Sequence, residues 1–305
     1  MDTSSKKIII AALAGNAAVA LTKFAAAVIT GSSAMLSEGI HSVVDTGNQG
    51  LLLFGLQRAK KPADEQFPFG YGKEIYFWSF VVAILIFAVG AGVSIYEGIN
   101  HILHPTSMEN PMVNYIVLIL AMIFEGIAWY FAFTQFSRAK GKWGYIEAVQ
   151  KGKDPSIFVV LFEDSAAMLG LLVAFIGILL GQLTGNPTFD GAASIIIGLI
   201  LGGTAIWLAY ETKSLLIGES ATSDLVSEVR KIASSYDTVE HVNEVLTMHM
   251  GPDFVLVNVS LDFADNHTVG VIEATIAEMD RKLKNAYPII KRVFIEAEAK
   301  AVPSS

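Results

Sequence analysis

The chain has 305 residues, of which 53% are hydrophobic and only 16% charged, a smaller charged share than soluble domains carry. A net charge of −8 without a basic cluster argues against a nucleic-acid partner, and the absence of cysteine excludes disulfides and thiolate metal sites. Charge is also uneven along the chain, since 28 of the first 214 residues are charged against 22 of the last 91. This difference predicts a membrane domain over residues 1–214 and a small water-soluble domain over residues 215–305.

Six apolar stretches in the first region are long enough to cross a hydrocarbon core of about 30 Å. They run over Ile8–Ile29, Ser33–Leu56, Ile75–Ile95, Val113–Phe136, Ser156–Leu183 and Phe189–Tyr210. Turn and helix-breaking residues separate them, for example Gly31 between the first two and Pro187 between the last two. The pattern predicts six membrane-spanning helices.

The basic residues indicate the orientation of these helices. Twenty of the 21 Lys and Arg residues lie at the N-terminus, between spans two and three, between spans four and five, or after span six. The alternate loops contain none. Because cytoplasmic loops of membrane proteins are enriched in Lys and Arg, both termini are predicted to be cytoplasmic.

The last 91 residues alternate between helical and strand patterns. The predicted elements are a helix at 223–235, strands at 242–250 and 254–263, a helix at 269–286 and a strand at 290–297. The segment Gly251-Pro252-Asp253 supplies a hairpin turn between the first two strands. The pattern predicts a small α/β domain with a short antiparallel sheet.

Ionisable residues occur inside two of the predicted spans, where each of them is energetically costly and needs a reason. The second span contains Glu38, His41 and Asp45, spaced three and four residues apart and therefore on one helix face. The fifth span contains the adjacent acids Glu163 and Asp164. If the two helices run in opposite directions across the bilayer, both clusters lie near its middle and face each other.

An imidazole together with several carboxylates is a ligand set for a divalent cation, with zinc favoured and manganese, cobalt or iron tolerated. Such ligands take up protons when the metal leaves, so metal movement would be linked to proton movement. The alternative is a structural cluster of buried polar side chains with Lys23 as its counter-charge. Since one lysine cannot neutralise so many acids, the sequence favours the metal site over this alternative.

Two segments carry a resemblance to a known family. They are Thr-Gly-Ser-Ser-Ala-Met-Leu-Ser-Glu-Gly-Ile-His-Ser-Val-Val-Asp at 30–45 and Pro-Phe-Gly-Tyr-Gly-Lys-Glu at 68–74. With the six spans and the α/β tail, they resemble the cation diffusion facilitators, and within these a zinc-transporter-like branch. The resemblance implies a homodimeric exporter that exchanges a cytosolic divalent metal for protons by alternating access. It also implies a small cytosolic dimerisation domain of ferredoxin-like, metallochaperone-like fold.

The resemblance further implies a transport site formed by His41, Asp45 and Asp164. Members of the family commonly have a fourth ligand four residues before the last aspartate, where this chain has Val160, which cannot bind metal. Glu163 and Glu38 are the two candidates to replace it, and the sequence favours Glu163.

Auxiliary metal sites known in the family look degraded in this chain. Phe67 and Tyr71 stand where many members have histidines, which leaves Asp64 alone. In the tail, Asn243 and Ser260 occupy strand positions where family members often have histidine ligands. Only Glu296 and Glu298 remain as candidate metal ligands there. We therefore expect no metal in the tail.

The sequence thus predicts a proton-coupled efflux protein for divalent metal, zinc first, which is not an enzyme and needs no cofactor beyond the metal it transports. Its expected partners are the metal, protons, membrane lipid and a second copy of the chain. No transit peptide is recognised, which favours a bacterial inner membrane over an organelle. Two alternatives remain open: an intramembrane zinc metalloenzyme, and a membrane anchor for the tail that transports nothing.

Overall fold

The structure is a computed structural model that describes the backbone of residues 3–105 and 110–300, and side chains from residue 16 onward within those ranges. The chain divides into two compact units. One contains the described residues up to Gln57 together with Ile75–Lys213. The other contains Arg58–Glu74 together with the described residues from Ser214 onward. The loop at 58–74 therefore belongs to the same unit as the tail.

Eight helices and one π-helical turn form the first part of the chain. They are α1 (Thr3–Thr30), α2 (Ser33–Ala59), α3 (Glu74–Leu85), the π-helical turn Ile86–Ala91, α4 (Gly92–Leu103), α5 (Pro111–Ala139), α6 (Tyr145–Lys151), α7 (Pro155–Thr184) and α8 (Thr188–Ile217). Each of the six predicted spans coincides with one long helix, or with the continuous α3–α4 segment, so the six-helix prediction is confirmed. The short helix α6 was predicted as loop.

Four helical segments among the described residues are long and apolar enough to cross a membrane: Glu74–Leu103, Pro111–Ala139, Pro155–Thr184 and Thr188–Ile217. The described side chains of α1 form a shorter apolar segment, Asn16–Thr30. Helix α2 is less apolar, because its buried residues include Glu38, His41 and Asp45. The three polar residues that lower the hydropathy of α2 are thus the same residues that the sequence assigns to a metal site.

Glycines allow α4 and α8 to approach closely. A Cβ atom at Gly98 would lie 2.6 Å from the Gly191 carbonyl oxygen, and one at Gly191 would lie 2.8 Å from the Gly98 carbonyl oxygen. Further along, a Cβ at Gly198 would lie 3.0 Å from the carbonyl oxygen of Ala91, at the end of the π-helical turn. Small residues at such crossings allow membrane helices to pack closely without hydrogen bonds between polar side chains.

The second unit contains α9 (Ser223–Ala233), β1 (Val239–Gly251), β2 (Phe254–Phe263), α10 (Val269–Ala286) and β3 (Ile290–Ala297). The bounds of β2, α10 and β3 agree with the prediction. The sheet order is β1-β2-β3, and its core side contains Val255, Val257, Val259 and Leu261, each fully buried. A mainly α chain with a six-helix domain and a small α/β tail is the observed fold class.

The antiparallel sheet predicted for the tail is only half right. Strands β1 and β2 form an antiparallel hairpin, but β2 and β3 pair in parallel. The connection between β2 and β3 contains the 18-residue helix α10, which crosses over the sheet. Such a crossover returns the chain in the same direction, and a parallel pair follows.

The loop at 58–74 packs against the β1–β2 hairpin within the second unit. Gly72 faces Gly251 so closely that the Gly251 Cα lies only 3.2 Å from where a Gly72 Cβ would stand. The Tyr71 hydroxyl donates a hydrogen bond of 2.6 Å to Asp64 Oδ2, and the Phe67 amide donates one of 2.8 Å to Asp64 Oδ1. Asp64, the acid left alone at the expected auxiliary position, thus accepts hydrogen bonds within the turn.

Candidate metal centre

The predicted ligands on α2 lie on one buried face of that helix. The His41 side chain is 1% exposed, and its Nδ1 lies 3.2 Å from Asp45 Oδ1. The two atoms are not aligned for a hydrogen bond, and both count among the buried polar atoms without a partner in the described chain. His41 Nε2 is likewise buried and without a partner there. The helix therefore presents an imidazole and a carboxylate with unused donor and acceptor capacity.

Helix α7 brings Glu163 to the same face of α2. Asn48 Nδ2 donates a hydrogen bond of 2.6 Å to Glu163 Oε1, and the carboxylates of Glu163 and Asp45 interact directly. Two buried carboxylates in contact repel each other unless a cation or a proton lies between them. The pairing across the α2–α7 interface is therefore the arrangement expected of groups that share a cation or a proton.

Asp164 follows Glu163 on α7 and is also buried, with 8% of its surface exposed. Among the described residues, no three His, Asp or Glu side chains are gathered at distances that would hold one metal ion. The structure thus brings His41, Asp45 and Glu163 together in pairs, and Asp164 follows Glu163 on the same turn of α7. Their assignment as ligands stays a prediction.

Glu38, the other candidate for the fourth ligand, has a different neighbour. Its Oε2 lies 3.1 Å from the Lys23 ammonium, and both side chains are fully buried. Lys23 also donates a hydrogen bond of 2.8 Å to the Ser42 hydroxyl. Because Glu38 already has a cation while Glu163 faces Asp45, the geometry favours Glu163 as the fourth ligand.

Sequence reasoning did not single out Asp190, a fully buried acid on α8. Its carboxylate accepts four hydrogen bonds from the start of α2: Ser32 Oγ at 2.6 Å, Ser33 N at 2.6 Å, Ser33 Oγ at 3.0 Å and Ala34 N at 3.3 Å. His101 Nε2 on α4 lies 3.8 Å away. A carboxylate at a helix N-terminus satisfies free backbone amides and interacts favourably with the helix dipole.

Asp190 therefore anchors α2 to α8 across the helical unit. The sequence contained one signal for it, an acid inside the sixth span. The residues that explain it, Ser32 and Ser33, lie more than 150 positions earlier in the chain. Only the folded arrangement relates them.

Paired acids and a histidine buried between two long helices of an apolar helical unit have the form of an ion-transport site. The family model described as the cation efflux transmembrane domain matches residues 9–217. The chain belongs to this family, the cation diffusion facilitators, and is an integral membrane protein.

Individual relatives give further context. The proton-coupled zinc antiporter SLC30A9, mitochondrial, of Xenopus laevis is 35% identical over 260 residues, and the human protein of that name is 32% identical. These matches cover 84% of this chain and 46% of each relative, so the chain spans about half the length of these curated relatives. The manganese efflux system protein MneP of Bacillus subtilis is 23% identical over 297 residues, with 95% of both chains covered.

Proposed function

We propose that this protein exports a divalent metal cation from the cytoplasm in exchange for protons, by alternating access. The observation that supports this most strongly is the contact between Asp45 on α2 and Glu163 on α7, beside the His41 imidazole, whose Nε2 has no hydrogen-bond partner among the described residues. A cation that enters there exchanges its hydration shell for carboxylate oxygens and an imidazole nitrogen. Membership of the cation efflux family supports the same interpretation.

Zinc is the proposed cargo, with manganese as the second choice. Imidazole with carboxylates suits zinc at four-coordination, and the relatives of 32–35% identity carry the name of a zinc antiporter. Manganese is favoured by oxygen-rich sets, and a full-length bacterial relative is named for manganese efflux. The ligands His41, Asp45, Asp164 and Glu163 contain one nitrogen donor among carboxylates, which accommodates both ions.

Proton coupling is proposed from the chemistry of the same groups. Metal binding requires a neutral imidazole and ionised carboxylates, so a metal ion that enters displaces protons. When the metal leaves, uncompensated carboxylates in a low-dielectric interior take protons up again. Each transport cycle would thus carry protons in the direction opposite to the metal.

The two alternatives have less support. An intramembrane metalloenzyme needs a nucleophile or an activated water beside its metal, and the sequence has no His-Glu-x-x-His motif. A passive membrane anchor would be expected to satisfy its buried polar atoms internally. The buried nitrogens of His41 and the Asp45 Oδ1 atom have no partner among the described residues, which counts against that interpretation.

Flux into vesicles tests the proposal directly. Protein reconstituted in liposomes should move Zn²⁺, and an opposing proton gradient should accelerate the movement while the internal pH changes in step. Asp45→Asn is the inactive comparison, and Glu147→Gln, which alters an exposed acid of α6, is the matched control. Zn²⁺ flux that is identical with and without a proton gradient would contradict coupling. The absence of flux for all metals would contradict transport.

The orientation and the cellular membrane remain predictions. Because the chain has no cysteine, each introduced cysteine is unique. Cysteines at His104 and Gly185 should react with an impermeant reagent added outside intact bacterial cells, and one at Lys151 should not. Labelling at Lys151 from outside would reverse the proposed direction of transport.

The proposed homodimer has support in the tail. The face of the sheet away from its core exposes Leu246, Met248 and Phe294 at 52%, 37% and 46%. Exposed apolar side chains on a sheet face are typical of protein interfaces. Crosslinking of the full chain in membranes should give a dimer, and Leu246→Glu should weaken it. A monomer in both proteins would contradict the proposal.

A further inference from the structure

Lys23 on α1 is a buried cation with oxygen atoms around it. The side chain is fully buried, and its ammonium lies 3.1 Å from Glu38 Oε2, 2.8 Å from Ser42 Oγ and 3.8 Å from Glu125 Oε1. These oxygens come from two helices, α2 and α5. Two carboxylates and a hydroxyl around one positive charge form the type of oxygen shell that hard divalent cations select.

The position of Glu38 in this shell is tightly defined. A Cβ atom at Gly170 of α7 would collide with Glu38 Oε1, so the glycine makes room for the carboxylate. That oxygen is buried and has no hydrogen-bond partner within the described chain, although Oε2 is held by Lys23. A buried carboxylate oxygen without a partner indicates a group that can still accept a ligand.

Lys23 is also distinctive in charge. It is the sole Lys or Arg in the six predicted spans, against acids at Glu38, Asp45, Glu125, the Glu163-Asp164 pair and Asp190. Asp190 is already satisfied by hydrogen bonds from the start of α2. Buried charges are tolerated only when they are paired, and its ammonium is placed against Glu38 and Glu125. One ammonium therefore divides the acids into a compensated group and an uncompensated group around Asp45.

We propose that Glu38, Ser42 and Glu125 form a second cation-binding site, called here the second cation station. The Lys23 ammonium occupies this station as a covalently attached cation and thereby prevents a metal ion from binding there. The role of this station rests on the proposed function, since it limits the transport path to one divalent ion per chain. The station itself is defined by its oxygens and can be tested by binding alone. Because its ligands are all oxygens, an opened station is suited to Mn²⁺.

The test counts bound Mn²⁺ in the purified full chain by electron paramagnetic resonance. Wild type should bind Mn²⁺ at the centre that contains His41. Lys23→Ala, which removes the ammonium and leaves space, should bind one additional Mn²⁺ per chain, and Lys23→Met should behave in the same way. Lys23→Arg, which keeps the charge, is the matched control and should bind no additional ion. The double variant Lys23→Ala/Glu38→Gln should lose the additional ion.

A further pair separates this proposal from the proposed function. His41→Ala should lose the wild-type ion, whereas His41→Ala/Lys23→Ala should still gain the ion at Glu38. If wild type transports metal but neither Lys23→Ala nor Lys23→Met gains an ion, the second station is overturned and the proposed function stands. If the Lys23 variants fold poorly, Mn²⁺ should raise their melting temperature by more than it raises that of Lys23→Arg, which binds only the ion at the His41 centre. A stabilisation by Mn²⁺ no larger than that of Lys23→Arg would likewise overturn the proposal.

Discussion

Two buried acidic clusters in the helical unit differ in how their polar atoms are satisfied. Asp190 accepts four hydrogen bonds from the first residues of α2, so its charge is fully engaged by donors. Asp45 and Glu163 contact each other, and Asp45 Oδ1 and both nitrogens of His41 remain unpartnered within the described chain. Both clusters join α2 to another helix, yet only the second leaves coordination capacity unused.

The difference in hydrogen bonding indicates a structural role for Asp190 and a metal-binding role for Asp45 and Glu163. A buried carboxylate with enough donors stabilises the arrangement that supplies them, and additional ligands gain nothing there. Buried carboxylates without hydrogen-bond donors destabilise the fold until a cation binds to them. Proteins retain such destabilising arrangements at functional sites. Unsatisfied acceptors, more than burial or charge alone, therefore point to the metal centre.

Removal of a proposed ligand should have the largest effect. Asp45→Asn and Asp164→Asn each replace an anionic oxygen donor with a neutral amide, so Zn²⁺ affinity should fall by about a hundredfold or more. Isothermal titration on the purified protein measures the change, and Glu147→Gln serves as the control. Wild-type affinity in both variants would place the metal elsewhere.

The two candidates for the fourth ligand should differ in what they alter. Glu163→Gln should lower Zn²⁺ affinity by about tenfold or more, because Glu163 faces Asp45. Glu38→Gln removes the nearest carboxylate from the buried Lys23, so it should mainly reduce stability, by about 3 kcal/mol. Titration and thermal melting in detergent measure the two quantities. Reversed effects would make Glu38 the ligand.

Asp190→Asn should reduce stability without affecting metal binding. The amide keeps the shape but loses the charge that faces the start of α2, a cost of about 1–3 kcal/mol. Ser194→Ala removes a hydroxyl that hydrogen-bonds to Ser33 Oγ and to the Asp190 backbone carbonyl, both uncharged, and should cost less. Thermal melting ranks the two variants. A large loss of Zn²⁺ affinity in Asp190→Asn, with its melting temperature unchanged, would assign Asp190 to the metal path.

The smallest effect is expected in the loop at 58–74. The Tyr71 hydroxyl, by donating a hydrogen bond, holds the pKa of the Asp64 carboxyl below its ordinary value. A lowered pKa in the folded protein contributes stability above the unfolded-state pKa and loses it as the pH falls through the folded-state value. Tyr71→Phe should therefore melt slightly lower at neutral pH, and this difference should be smaller near about pH 3.

Melting of wild type and Tyr71→Phe at both pH values tests this. Zn²⁺ affinity serves as the internal control and should not change, because Asp64 is exposed and lies in the other unit. A melting difference that persists undiminished at low pH would show that Tyr71 acts through packing, without its hydrogen bond to Asp64.

The sequence alone determined much of this molecule. Hydrophobic runs of 20 or more residues specify spanning helices, since backbone polar groups in a hydrocarbon core must be satisfied internally. The alternation in β2 and the helical pattern of α10 are local periodicities, and their bounds agree with the structure. The spacing of Glu38, His41 and Asp45 likewise places them on one face, because helix geometry relates residues three and four apart.

What only the tertiary structure decided concerns contacts between residues far apart in the chain. The parallel pairing of β3 depends on the path of the α10 crossover, which periodicity does not record. Glu38 and Glu163 are equally acidic in sequence, but α1 supplies Lys23 to one and α2 supplies Asn48 to the other. Asp190 acquires its role from serines more than 150 residues away. Residue type sets what a side chain can bind, and helix packing decides which partner it meets.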